Sequence, residues 1–160
     1  MEKQLTALRS YDFLLEPEDL LEVAYEVGRD YTRWRTRLAD PDGEGSWIQL
    51  FRSGGLGVWA IGWHRMPPGT GYLDHEQVRG AVYVARGALT HERARLGTAP
   101  HVTEVGAGKG FCFDETFYHR MHAVRDAGPT VTVHVFATAF PPPAGAGAGL
   151  ACPALRLGLP

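Results

Sequence analysis

Three short stretches carry side chains able to hold a metal ion or move a proton. GTGYLDHEQVRGAVYVARG (residues 69–87) sets His75 ahead of an apolar run, YHRMH adds His119 and His122, and TVTVHVF adds His134. Neutral imidazole is the usual nitrogen ligand for iron, nickel, copper or zinc, and its second ring nitrogen must be fixed by another group. In TVTVHVF, strand alternation points Val131, Val133 and Val135 one way and Thr132, His134 and Phe136 the other. The first face is ordinary core, and the second either lines a polar cavity or faces solvent. The turn residues RDAGPT after YHRMHAV would fold that segment back as a hairpin on TVTVHVF, which would bring His119 near His134. His64, His91 and His101 stand beside turns or charged residues and read as surface groups.

Two kinds of element must position these residues. EPEDLLEVAYEVGRDYTRWRTRLADPDGEG opens with Pro17, Glu18 and Asp19, which suit a helix's first turn. Leu20, Ala24, Val27 and Tyr31 then recur at helical spacing, widened by Leu21 and Val23, which predicts one or two amphipathic helices packed on a larger body. From about Ser46 the period changes to two. SWIQLFR, LGVWAIGW, AVYVARGALTHERAR, HVTEV, GFCFDETFYHRMHAV and TVTVHVFATAF read as at least six short strands of a sandwich or barrel. The expected organisation is a single domain: a helical segment over 1–45, a barrel over 46–140, and a Pro/Gly/Ala-rich tail over 141–160.

The 160-residue chain has a formal net charge of −2 and a pI near 6.4, so it presents no basic footprint for nucleic acid or anionic lipid. No apolar run reaches the length of a membrane span. Its two cysteines, Cys112 and Cys152, are too few for a disulfide framework, and MEKQ is no leader, so a reduced, cytoplasmic protein is expected. The partner is expected to be a small molecule, and the chain a monomer or homodimer.

Taken in order after Trp63, the pieces GTGYLDH, GAVYVARG, YHRMH and VTVHVF resemble the cysteine dioxygenase family of the cupin fold, the thiol dioxygenases, from the N-terminal helices to about Phe140. The resemblance implies an all-β jelly-roll barrel with N-terminal helices. In that family two histidines of an HDH run and a third from an HR-containing strand bind ferrous iron, and a cysteine thiolate is oxidised by O2 to a sulfinate. Matched residue by residue, the second histidine of that run is His75 and the third is His119, while the first position is Leu73. The family's orienting Ser/His/Tyr strand becomes Thr132, His134 and Phe136, without the tyrosine hydroxyl. Gln49 stands where the family places the arginine that binds the substrate carboxylate, and Trp47 and Arg52 join Gln49, Leu73, Gly80 and Phe136 in the implied substrate pocket. Gly80 replaces the cysteine of animal members, so no thioether crosslink is expected.

Leucine cannot ligate, and a two-imidazole site holds a divalent ion weakly unless water, substrate or another side chain completes it. A cysteine substrate would supply thiolate and amine together. Among nearby carboxylates, Asp74 and Glu76 flank the inward His75 and point away, whereas Glu115 shares the parity of His119. A one-residue slip would instead put Gln77 in the second place. Arg52 or Arg79 are candidates to compensate for Gln49. The expected function is therefore that of a thiol-dioxygenase-like cupin oxidising L-cysteine or a related small thiol. It would use Fe(II) or Ni(II) with O2, and its product would be altered: a sulfinate, sulfonate or sulfonamide building block of a specialised pathway. Two other readings stay open: a non-catalytic cupin that binds a small ligand, and a metal-dependent isomerase or lyase on the same barrel.

Overall fold

The computed structural model describes residues 15–38, 46–63, 78–114 and 116–138. Leu73, Asp74, His75, Glu76, Gln77, Glu115, His64 and the tail 141–160 lie outside the described residues. Helix α1 (Pro17–Arg29) begins as its composition predicts, with Pro17 in the first turn and the Asp19 carboxylate accepting the backbone N–H of Glu16 at 3.0 Å. Its stripe of Leu20, Ala24 and Val27 is buried, and Leu21, Val23 and Tyr31 pack around it. A short helix α2 (Tyr31–Trp34) follows, and Trp34 turns back to donate its indole N–H to the Val27 carbonyl at 2.9 Å. Among the described residues, no helix is long and apolar enough to cross a membrane.

Among the described residues, eight strands follow: β1 (Ser46–Ser53), β2 (Leu56–Gly62), β3 (Val78–Arg86), β4 (Ala88–Ala94), β5 (His101–Gly106), β6 (Gly110–Phe113), β7 (Tyr118–Ala123) and β8 (Val131–Thr138). They form two antiparallel sheets, ordered β1-β2-β8-β3-β6 and β5-β4-β7. One face of the larger sheet packs under the helices through Val58, Ala60, Ala81, Tyr83, Val131, Val133 and Val135. Its other face meets the smaller sheet through Ile61, Val82, Val84, Phe113 and Phe136 against Leu89, Val105 and Met121. The alternation expected for TVTVHVF is realised: its valines lie toward the helices, and Thr132, His134 and Phe136 lie inside the barrel.

Three expectations about connectivity are corrected. AVYVARGALTHERAR is two strands, because the chain changes sheets at Gly87, whose φ of +74° is the left-handed conformation glycine adopts without penalty. GFCFDETFYHRMHAV likewise divides into β6 of the larger sheet and β7 of the smaller one. The predicted hairpin between YHRMHAV and TVTVHVF is not formed. β7 pairs with β4 and β8 pairs with β2 and β3, so His119 and His134 occupy opposite sheets rather than neighbouring strands.

Close approach of α1 to the sheet depends on Gly28, where a Cβ would overlap the Tyr83 ring. Gly28→Ala is expected to lower the unfolding free energy by about 1–3 kcal/mol in a denaturant titration, because the ring cannot move aside without disturbing the core under the helix. An unchanged midpoint would show that the helix has room to lift.

Candidate functional site

The edge of the larger sheet at β6 closes against β4 and β7 of the smaller one, and this seam collects the polar interior. Strand alternation turns Phe111 and Phe113 of β6, His91 of β4 and His119 of β7 toward one another. His91 Nε2 lies 3.2 Å from His119 Nδ1. The His91 ring stacks on Phe111 with centroids 3.7 Å apart and planes 10° from parallel, and His119 lies 4.3 Å from the Phe113 ring. His91 and His119 are both buried, at 7% and 1% exposure. On the outer face of the same strand pair, Glu92 faces Arg120 and accepts an ion pair at 2.8 Å. That contact fixes the register that sets His91 diagonal to His119.

His91 corrects the expectation that it is a surface group; of the three histidines so assigned, His101 is exposed and His64 lies outside the described residues. The polar neighbours Thr90, Glu92 and Arg93 made the segment read as solvent-facing. The cover comes from Phe111, distant in sequence, and the strict alternation of GFCF, with both aromatics on one face, was the signal available.

A second polar group lies on β8. The indole N–H of Trp63 donates to Thr132 Oγ1 at 2.8 Å, and Thr132 Oγ1 lies 2.8 Å from His134 Nε2. Indole can only donate, so Thr132 Oγ1 accepts from Trp63 and is linked by a second hydrogen bond to His134 Nε2. His134, wholly buried, is thereby held in place by Thr132. Phe136 bridges the two groups, with its ring 6.0 Å from both His134 and Phe113. Gly80 pairs with Phe113 and Phe136, and a Cβ there would run into the Phe113 ring.

The remaining expected pocket residues lie elsewhere. Trp47, Gln49 and Arg52 stand opposite Ile61, Trp59 and Gly57 on the barrel-side face of edge strand β1, and all three are exposed. Arg79 points toward the helices and pairs with Glu16 at 2.8 Å, so it does not replace Gln49 inside the barrel. His122 points outward from β7 opposite Thr90. Among the described residues there is no group of three His, Cys, Asp or Glu side chains that could hold a metal ion. His119 could supply one imidazole to such an ion, oriented by His91, while His75 lies in the segment outside the described residues.

A cavity of about 100 Å³ opens beside the imidazole pair, bordered by His91, His119, Phe113, Arg93, Asp114 and Glu18. Cys112 borders it too, and burial, then the nearby Glu18 carboxylate, push its thiol pKa up, so the thiol stays protonated.

No family model matches the sequence, and no curated protein matches it. Solved structures do match in fold. BH2720 from Bacillus halodurans superposes with a TM-score of 0.53 at 14% identity, covering 64% of this chain and 74% of that one. TT1209 from Thermus thermophilus gives 0.52 at 16% identity, covering 65% and 93%. KdgF from Halomonas sp. gives 0.50 at 16% identity, covering 62% and 82%. The fold is that of the cupins, a jelly roll with an N-terminal helix against one sheet.

Burial, followed by the charges of Arg93 and His101, lowers the His91 pKa from 6.5 to about 4. The imidazole is therefore neutral in the folded protein, while the unfolded chain takes up its proton near pH 6.5. Between these values the unfolded state binds the extra proton, so stability falls as the pH falls. Chelator-treated protein is expected to lose up to about 3 kcal/mol from this group between neutral pH and pH 4, and His91→Gln should flatten the slope. An identical slope in the variant would contradict the assignment.

Proposed function

We propose that this cupin is a metal-dependent enzyme that oxidises the sulfur of L-cysteine or a related small thiol with O2. The observation that carries the proposal is the buried His91–His119 contact beside a cavity of small-molecule size. A ligating histidine needs its second nitrogen held, and a neutral His91 does this by accepting the Nδ1–H of His119, which directs the other ring nitrogen to a metal. Support also comes from the resemblance of YHRMH and VTVHVF to the thiol dioxygenases, in which the residues matching His75 and His119 are ligands. When bound, Fe(II) or Ni(II), held by His75 and His119, would supply the redox chemistry between the thiol and O2. The chain's own part is to exclude water with Phe111, Phe113 and Phe136 and to hold His134 on the Thr132 hydroxyl as the buried proton-carrying group. Leu73 at a ligand position, Gln49 at the arginine position and Phe136 at the tyrosine position support a sulfur-oxidised product that departs from the family's ordinary sulfinate.

A second reading is a cupin that binds a small ligand without catalysis. Leu73, an apolar side chain at the position of the family's first ligand, favours it. Metal analysis and oxygen uptake separate the two. Protein from iron- or nickel-supplemented cells is expected to carry about one metal ion per chain and to consume O2 with L-cysteine, cysteamine or homocysteine. His119→Ala should abolish metal binding, and His91→Phe should weaken it about 10–100-fold, as loss of an orienting partner does. Metal-free protein without oxygen uptake, and with ligand binding unchanged in His119→Ala, would leave the binding reading standing.

A further inference from the structure

One aromatic side chain belongs both to the cavity and to the core. Phe113 borders the space beside His91 and His119, and it is also part of the buried cluster that includes Val82, Met121 and Phe136. Its ring centroid lies 4.3 Å from that of the His119 imidazole and 6.0 Å from that of Phe136. The backbone of β3 makes room for it. Gly80 is the cross-strand partner of both Phe113 and Phe136, whose side chains leave the larger sheet on its barrel side. A Cβ at Gly80 would run into the tip of the Phe113 ring. A bare glycine at this place lets the ring lie down on the sheet, the kind of close approach that a glycine inside a strand marks. A ring lifted from that seat would move away from its own sheet, toward His119 and the cavity. The cavity measures about 100 Å³. For comparison, a dry cavity of roughly 150 Å³ admits benzene, so the space suits a ligand of a few heavy atoms and is too small for a ring.

We infer that the Phe113 ring, seated on Gly80, is the floor of this cavity and limits its ligands to short-chain aliphatic thiols, excluding those that carry a ring. The assignment rests on the small-thiol reading of the same site and adds the residue that sets ligand size. Gly80 stands where animal members of the resembled family carry cysteine, and here its part is to keep Phe113 down and out of the cavity. Shortening Phe113 should deepen the cavity toward Phe136, and giving Gly80 a Cβ should make it shallower.

Anaerobic titration calorimetry on the full-length, metal-loaded protein tests the assignment with three probes: ethanethiol, benzyl mercaptan, and benzyl alcohol, which has no sulfur. Wild-type protein is expected to bind ethanethiol about tenfold or more tightly than benzyl mercaptan. Phe113→Ala should reverse that order and Phe113→Leu should narrow the gap; leucine keeps much of the apolar volume, so the test does not depend on the alanine variant folding. Gly80→Ala should weaken both thiols. The double variant Gly80→Ala/Phe113→Leu should recover ethanethiol binding, a rescue that general damage to β3 would not allow. Wild-type protein that binds benzyl mercaptan as tightly as ethanethiol, or an order unchanged in the folded Phe113 variants, would overturn the assignment, as would a double variant no better than Gly80→Ala. Benzyl alcohol bound by a Phe113 variant and refused by the wild type, with no oxygen uptake from either thiol, would uphold the floor and remove the thiol oxidation.

Discussion

Two buried imidazoles touching in an apolar seam impose the constraint on which the rest of the interior depends. Burying either ring alone would leave a polar nitrogen without compensation, at a cost of about 1–3 kcal/mol. Together, each satisfies one nitrogen of the other at 3.2 Å, between the faces of Phe111 and Phe113. The arrangement tolerates little slippage. A one-residue shift of β4 against β7 would turn His91 or His119 out of the barrel, and the Glu92–Arg120 pair on the outer face resists that shift. The two sheets must also meet at β6, whose alternating aromatics close the seam.

The same constraint organises the charges. The charged groups that border the cavity, Arg93, Glu18 and Asp114, come from three different elements: β4, α1 and the turn after β6. Helix α1 therefore has two roles. Its buried stripe covers the larger sheet, and its first turn brings a carboxylate to the cavity mouth. The Glu16–Arg79 pair ties that turn to β3, next to Gly80 and the Phe113 ring.

Much of this was legible in the sequence where the pattern is local. Leu20, Ala24 and Val27 announced the buried face of the helix. The alternation of TVTVHVF separated helix-side valines from barrel-side Thr132, His134 and Phe136, because one strand's two faces are fixed by its own pleat. Connectivity was not legible to the same degree. Period-two patterning continues unbroken through Gly87 and nearly so between GFCF and YHRMH, and nothing in alternation says which sheet a strand joins. A short turn such as RDAGPT also suggests a hairpin, although here it connects strands of opposite sheets. His91 was missed for a related reason, since its burial arises from stacking on a residue of another strand, which hydropathy along β4 cannot register.

The most direct measurement is a crystal structure of the protein soaked with iron or nickel, with the metal located by its anomalous scattering. The expected result is a single metal ion bonded to His119, with His91 still hydrogen-bonded to the other nitrogen of that ring. A metal bound away from His119, or a His119 ring with no metal at saturating concentration, would contradict the assignment of this seam as a metal centre.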